Sequence, residues 1–514
     1  MESSKINLFN PCLFRKCKLT QITIPSTVQE IKEFVFNECI YLTKVIFEKD
    51  SQLKKIGRSA FENCKSLSEI TIPSSVTEID DIAFSNCISL KRVALPESIK
   101  TIRLGLFQSC SSLVEITIPS SVNSIAAFSF DNCSSLSEIA IPSSVTDIPS
   151  HAFNECSSLM NVTLPSTLKR IKDYSFNGCS SLKEITIPSS VTYIADFAFR
   201  HCSSLIKITI PESVKAIFLG TFQFCSSLVE ITIPSSLQFN GCYIFECCSS
   251  LKEITIPSSF AKIPSYTFKK CSSLNKVTIP SSVKETGGYA FSECTSLAEI
   301  TIPSSLTKIE EYAFRNCFKL ANINLPSSIE SIGSGAFSSC SSIVEVVIPS
   351  SLRYIERYLF FECKSLEKVV IPFSVASIKA NSFEGCSALK EIIIPPSVVS
   401  IERYAFYNCA SLEKVALFCT ISSIAESVFD KCTSLKEIKI PKTVSVIRNH
   451  AFFQCSSLSH VLISSPLKSI EKCAFAGCSS LGEIYIPNSS VEISISAFPE
   501  KTKVLKGKEK CFIC

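Results

Sequence analysis

The chain has 514 residues, of which 46% are hydrophobic and only 19% charged, with a formal net charge of +5. This composition excludes an intrinsically disordered chain, because there is ample apolar surface to bury and little charge to keep it solvated. The small, dispersed positive excess argues against a nucleic-acid-binding groove, and no apolar run approaches the roughly 20 residues that span a bilayer.

The N-terminal residues, Met1 to Asn7, lack the continuous apolar segment of a secretory signal. We therefore expect the protein to be made and kept in the cytosol. Residues 1–16 are predicted to form an N-terminal capping partial repeat, and residues 17–498 a single repeat domain.

Cysteines recur every 23 residues without a break from Cys64 to Cys478, and Cys17 and Cys39 extend the series with small slips. A Phe lies three residues before each of these cysteines, and the series of Phe residues closes at Phe498. Self-similarity at a period of 20–50 residues is the signature of a solenoid, whose turns pack on their neighbours. Without a secretory signal, we expect buried free thiols rather than disulfides in this series.

Each turn has the same internal order, which residues 179–201 illustrate with the sequence CSSLKEITIPSSVTYIADFAFRH. Counting the repeated Cys as the first place, Ile185 and Ile187 alternate with polar neighbours, which predicts a half-buried strand. Pro188 has no N–H and ends the strand pairing. The apolar thirteenth and sixteenth places return to the core, and residues 195–199 predict a single helical or 3₁₀ turn.

The unit L-x-x-I-x-I-P-S-S-V-x-x-I-x-x-x-A-F-x-x-C resembles the leucine-rich repeat of BspA-like proteins over roughly residues 9–498. The resemblance implies a leucine-rich-repeat solenoid of about 21 turns, each with one short strand of a parallel sheet, turns, and a short helical or 3₁₀ segment. It also implies a non-enzymatic scaffold without cofactors that binds protein ligands along its strand face. The family includes surface adhesins for extracellular-matrix and host-cell proteins, which is the alternative function.

No residue pattern indicates catalysis or a metal site. The four histidines lie on separate turns, so no Cys–His nucleophile pair is indicated: His151, His201, His450 and His460. Cys511 and Cys514 form a C-x-x-C, but no second pair matches it, so a zinc site is not predicted.

The sixth and eighth places of each turn should point outward from the sheet. The eighth place is Thr in seven consecutive turns from Thr163 to Thr301 and then becomes apolar. An exposed apolar stripe rimmed by charge marks an interface, whereas the alternative is ordinary strand preference at an undemanding position. The predicted binding face consists of Val347, Val370, Ile393, Ala416 and Tyr485.

After Phe498 the repeat stops, and residues 499–514 are predicted to form a basic flexible tail. Its last four residues fit the prenylation motif C-a-a-X, with Cys511 as the acceptor thiol. A prenyl chain alone binds membranes weakly, and the second signal is a set of five lysines: Lys501, Lys503, Lys506, Lys508 and Lys510. Some protozoan members of the BspA-like family resemble this layout, with no signal peptide and a C-a-a-X terminus.

These features predict a repeat scaffold tethered to the cytosolic face of the plasma membrane. A cell-surface adhesin and a soluble cytosolic interaction module are the alternatives. The open strand edges at the ends of a solenoid are also sites where a second copy can pair.

Overall fold

The computed structural model describes residues 8–507. It confirms the predicted architecture, a parallel-strand solenoid of about 21 turns with about 23 residues per turn. The chain divides into two compact units, Met1–Lys252 and Glu253–Cys514. Most turns contribute a longer first strand and a two-residue second strand, and each set pairs in parallel with the corresponding strands of neighbouring turns.

In the first unit, the first strands carry the sixth to eighth places, whereas the second strands end on the buried sixteenth place in nearly every turn. The first strands are Gln21–Ile24, Lys44–Phe47, Glu69–Thr71, Arg92–Ala94, Glu115–Thr117, Glu138–Ala140, Asn161–Thr163, Lys207–Thr209 and Glu230–Thr232. The second strands are Leu8–Phe9, Glu30–Ile31, Lys55–Ile56, Glu78–Ile79, Thr101–Ile102, Ser124–Ile125, Asp147–Ile148, Arg170–Ile171, Tyr193–Ile194, Ala216–Ile217 and Gln238–Phe239.

The second unit repeats this arrangement. Its first strands are Glu253–Thr255, Lys276–Thr278, Glu345–Val347, Lys368–Val370, Glu391–Ile394, Lys414–Leu417, Glu437–Ile440, His460–Ile463, Glu483–Ile486 and Lys503–Lys506. Its second strands are Lys262–Ile263, Glu285–Thr286, Lys308–Ile309, Ser331–Ile332, Tyr354–Ile355, Ser377–Ile378, Ser400–Ile401, Ser423–Ile424, Val446–Ile447, Ser469–Ile470 and Glu492–Ile493.

Register between turns keeps like places opposite one another. Glu115 pairs with Arg92 and Ile116 with Val93, a separation of one repeat. The central residue of each such strand is buried while its two neighbours are exposed. The two-residue period of a strand therefore places the sixth and eighth places on the solvent side of the sheet.

The repeated Phe residues form a stacked column inside each unit. In the first unit the rings run from Phe14 to Phe245, with neighbouring centroids 5.1 to 5.8 Å apart. In the second unit they run from Phe268 to Phe498, with spacings of 5.0 to 5.9 Å. Because each ring is covered by the rings of its neighbours, no single turn can bury its own core.

The predicted helical or 3₁₀ segment is wrong: no helix of either kind occurs in residues 8–507, and these places form turns. Two places per turn carry the backbone into the left-handed region, as at Tyr174 (φ 54°) and Gly178 (φ 74°). A right-handed helix cannot contain such residues. The Phe amides bond across turns instead, as where Phe176 N–H donates to the Ala198 carbonyl at 2.9 Å.

The segment that the sequence predicts as a flexible tail contains one more strand. Lys503–Lys506 pairs in parallel with Glu483–Ile486, at a separation of 20 residues instead of 23. The Tyr485 hydroxyl then donates to the Gly507 carbonyl. The paired part of the chain thus extends at least to residue 506.

Candidate interaction surface

The eighth places of the second unit form a column across its first strands. Val347 lies opposite Val370, and Ile393 lies opposite Ala416, in the register of their strands. We call the eighth-place residues from Val347 to Tyr485 the eighth-place column; its members are Val347, Val370, Ile393, Ala416, Lys439, Leu462 and Tyr485. The strand registers thus align Val347 with Val370 and Ile393 with Ala416, and Tyr485 of the predicted binding face lies on a later first strand of the same unit.

Several side chains of this column are exposed although they are apolar. The exposed fraction is 56% for Val347 and 57% for both Ile393 and Leu462. Ala416 and Tyr485 are partly covered. An aligned set of exposed aliphatic side chains is the kind of surface that protein partners bury.

Two exposed aromatic residues beside the column were missed by the sequence analysis. Phe373 is 78% exposed and Phe418 is 63% exposed, and both follow a first strand directly or nearly so. Their signal was present in the sequence, because Phe373 stands at a usual Ser place and Phe418 at a usual Pro place. Unlike the Pro usually found at this place, Phe418 has an amide N–H, which donates to the Ile394 carbonyl of the preceding turn at 3.1 Å.

A groove of about 390 Å³ opens on this face where the small Ala416 side chain interrupts the column. Its apolar lining includes Leu417, Phe418 and Leu462, and Lys414, Glu437, Lys439 and His460 complete the lining. The groove therefore combines apolar and polar lining residues, and its apolar part suits a bulky apolar side chain from a partner.

Charged residues at the fifth and sixth places flank the column, and many of them pair with each other across turns. The ion pairs are Glu345–Lys368 at 3.6 Å, Glu367–Lys390 at 2.9 Å and Glu413–Lys436 at 2.6 Å. These exposed pairs add little to stability. Their consequence is local neutrality, so this flank attracts neither strongly acidic nor strongly basic partners.

The eighth place of the first unit presents a different chemistry. Thr163, Thr209 and Thr232 are exposed on their strands, as predicted for the outward places. Four exposed apolar residues of this unit lie at the fifth place instead: Val114, Met160, Ile206 and Val229. The same backbone therefore carries distinct surfaces in the two units.

The repeated cysteines are free and, from Cys39 onward, buried, as the sequence predicted. Most of these thiols donate a hydrogen bond to a Phe carbonyl of the preceding turn, as Cys110 does to the Phe84 carbonyl at 3.2 Å. Burial raises the pKa of Cys110 to about 12, and Cys225 and Cys317 behave alike. These thiols are structural, because the nucleophilic form of cysteine is the thiolate.

The histidines stay apart. His151 stacks between Phe128 and Tyr174, with ring centroids 4.6 and 4.8 Å away, and His201 stacks on Phe224 at 4.4 Å. Burial lowers the pKa of His201, with the neighbouring Arg200 as a second cause. Within residues 8–507, no cluster of His, Cys, Asp or Glu is suited to hold a metal ion. The same part of the chain has no helix that could cross a membrane.

The residues predicted to attach the tail to a membrane fall in two groups. Lys501, Lys503 and Lys506 lie within the described chain, and Lys503 and Lys506 belong to the last strand. Lys506 Nζ donates to the Val491 carbonyl at 3.1 Å. Lys508, Lys510 and the acceptor Cys511 lie outside the described residues.

Comparison with known proteins decides the family. Five overlapping segments match the profile described as "BspA type Leucine rich repeat region (6 copies)": residues 7–52, 47–160, 147–275, 261–390 and 376–505. The chain belongs to the BspA-type leucine-rich repeat family. No curated protein matches it.

Two solved structures illustrate the relation of this BspA-type protein to others. A leucine-rich repeat protein from Bacteroides ovatus is 28% identical, with 75% of this chain and 87% of that chain covered and a TM-score of 0.57. A leucine-rich cell surface protein from Faecalibacterium prausnitzii is 30% identical, with 62% and 87% covered and a TM-score of 0.42. The BspA-type protein is thus a leucine-rich repeat scaffold, an architecture typical of protein binding.

Proposed function

We propose that the protein is a non-enzymatic scaffold that binds a protein partner on the first-strand face of its second unit. The observation that carries this proposal is the exposure of aligned apolar side chains in the eighth-place column, together with Phe373 and Phe418 beside it. Ordinary strand preference explains a β-branched residue at one exposed place, but it does not explain aromatic residues replacing Ser and Pro in the turns that follow two of these strands.

The charged flank supports the same proposal. The flanking carboxylates and ammonium groups already pair with each other, so a partner that covers the column leaves fewer charges without a counter-ion. An apolar centre with a polar rim is the usual composition of a protein interface.

Site-specific crosslinking tests this proposal. A photoreactive amino acid at position 393 should crosslink a defined partner in cells, whereas the same group at Thr209, an exposed eighth place of the first unit, should not. Val370→Asp should abolish the crosslink from position 393, because an exposed carboxylate on the column loses its hydration at the interface. Equal crosslinking from positions 209 and 393 would contradict the proposal.

We also propose that the scaffold is tethered to a membrane through a prenyl group on Cys511, with the tail lysines as the second signal. The C-a-a-X motif and the basic residues support this, and the residues concerned are those of the sequence prediction. Mass analysis of the C-terminal peptide should find a prenyl group on Cys511, and Cys511→Ser should move the protein from the detergent phase to the aqueous phase.

Topology separates the tethered scaffold from a surface adhesin. Protease treatment of intact cells should leave the repeats uncut if the protein lies on the cytosolic leaflet. Release of repeat peptides would favour the adhesin, and an unmodified Cys511 in soluble protein would leave a cytosolic interaction module.

A further inference from the structure

The spacing of the eighth-place column limits the shape of a partner that can follow it. Neighbouring strands lie about 4.8 Å apart, so the three steps from Val347 to Ala416 cover about 14 Å. An α-helix repeats one face every ~5.4 Å and drifts about 2 Å out of step over this distance. An extended peptide repeats one face every ~6.8 Å and drifts about 6 Å. Only the helix can place one side chain on each strand.

The sizes along the column add a second constraint. The side chains of Val347, Val370 and Ile393 project from their strands. The next member of the column, Ala416, has a short side chain and therefore leaves room for the groove beside Phe418. A helix lying along the column therefore needs medium apolar side chains over the first three residues and its largest one over Ala416. Filling the groove excludes water from its apolar lining.

Charge fixes the direction of the helix. Lys439 is the next member of the column after Ala416, and it is exposed. Within residues 8–507, Lys439 and the groove-lining Lys414 have no ion pair, whereas the flanking Lys390 and Lys436 are paired with carboxylates, and only Lys439 of these four belongs to the eighth-place column. A helix carries partial negative charge at its C-terminal end, so that end, with an acidic side chain, suits the position of Lys439.

We propose that the column from Val347 to Lys439 binds an amphipathic α-helix of a partner protein, with one apolar side chain per helical turn and an acidic C-terminal turn over Lys439. This deepens the proposed function and rests on it. Recognition of an apolar helix face by a groove is a general binding mode, and here the strand spacing and the position of Lys439 in the column select it.

A synthetic probe tests the inference on the full-length protein. The probe is a labelled 18-residue peptide with Leu at its positions 1, 5 and 8, Phe at its position 12 and an acidic residue, Glu, at its position 15. A control peptide has the same composition with its apolar residues at every second position. Fluorescence anisotropy should give the helix-patterned peptide a Kd at least tenfold lower than that of the control.

Variants of the protein locate the binding site. Ile393→Asp should weaken binding at least tenfold, whereas Thr278→Asp, at an exposed eighth place outside the column, should leave it unchanged. Lys439→Glu should weaken binding of the helix-patterned peptide. A second peptide, in which Lys replaces the acidic residue of the probe, should bind the Lys439→Glu variant more tightly than it binds the unchanged protein. Circular dichroism and thermal unfolding check that each variant is folded.

Equal affinity for the two peptide patterns, or an unchanged affinity in Lys439→Glu, would overturn the helix inference. If position 393 crosslinks a partner in cells but the helix-patterned peptide does not bind, the proposed function stands and the helix inference fails. If crosslinking also fails, the proposed function itself fails.

Discussion

Replacing Phe337 by Ala should destabilise the second unit strongly and locally. The ring is fully buried, and its centroid lies 5.4 Å from that of Phe314 and 5.9 Å from that of Phe360. Truncating a buried Phe costs about 3–5 kcal/mol through lost transfer free energy and the cavity that remains. The lost ring contacts on both sides favour the upper half of this range, because an aromatic pair contributes about 0.5–1.5 kcal/mol beyond area burial.

The location of the loss follows from the architecture. In a solenoid each turn contacts its neighbours, so the damage should stay near the substituted turn. Hydrogen exchange should show lost protection around residues 314–360, and urea unfolding should give the total loss of free energy. The matched control is Phe373→Ala, which removes a 78% exposed ring and should change stability by less than about 0.5 kcal/mol.

Either of two results would refute this reasoning. A loss below about 1 kcal/mol for Phe337→Ala would mean that the Phe column does not hold the turns together. Protection lost evenly across the second unit would mean that the unit unfolds as one cooperative body instead of turn by turn.

Three further predictions concern backbone, thiols and a buried acid. Gly335→Ala should cost about 1–3 kcal/mol in thermal or urea unfolding, because φ is +61° and the added Cβ would clash with the Tyr312 ring. Gly482→Ala, with no atom within 4 Å of its added Cβ, should be nearly neutral. The buried thiols should resist a thiol reagent at pH 8, while exposed Cys12 reacts. The free energy of unfolding should fall from about pH 9 towards pH 12, because unfolded thiols ionise near 9.0 and folded Cys110 only near 12. A free energy of unfolding that does not change over this pH range would contradict the prediction. Burial raises the pKa of Asp430 to about 6, so Asp430→Asn should stabilise the protein more at pH 7.5 than at pH 5, which unfolding at both pH values checks.

The period of 23 residues was sufficient to predict the solenoid and the buried cysteines. A periodic pattern shows which residues are equivalent, and equivalent residues of stacked turns must meet. The same reasoning placed Val347, Val370 and Ile393 on the solvent side, because side chains of a strand alternate. The outward column of the interaction surface was thus predictable from sequence.

Only the tertiary structure decided the path of the backbone after the second strand. The sequence around Ala195–Phe199 suggested a helical turn, but the hydrogen bonds run to the next turn, and Phe197 adopts a φ of +55°. The thiol-to-carbonyl bonds, the strand at Lys503–Lys506 and the groove beside Phe418 likewise depend on contacts between turns. A repeat pattern specifies what recurs within a turn, whereas these features arise from how one turn meets the next.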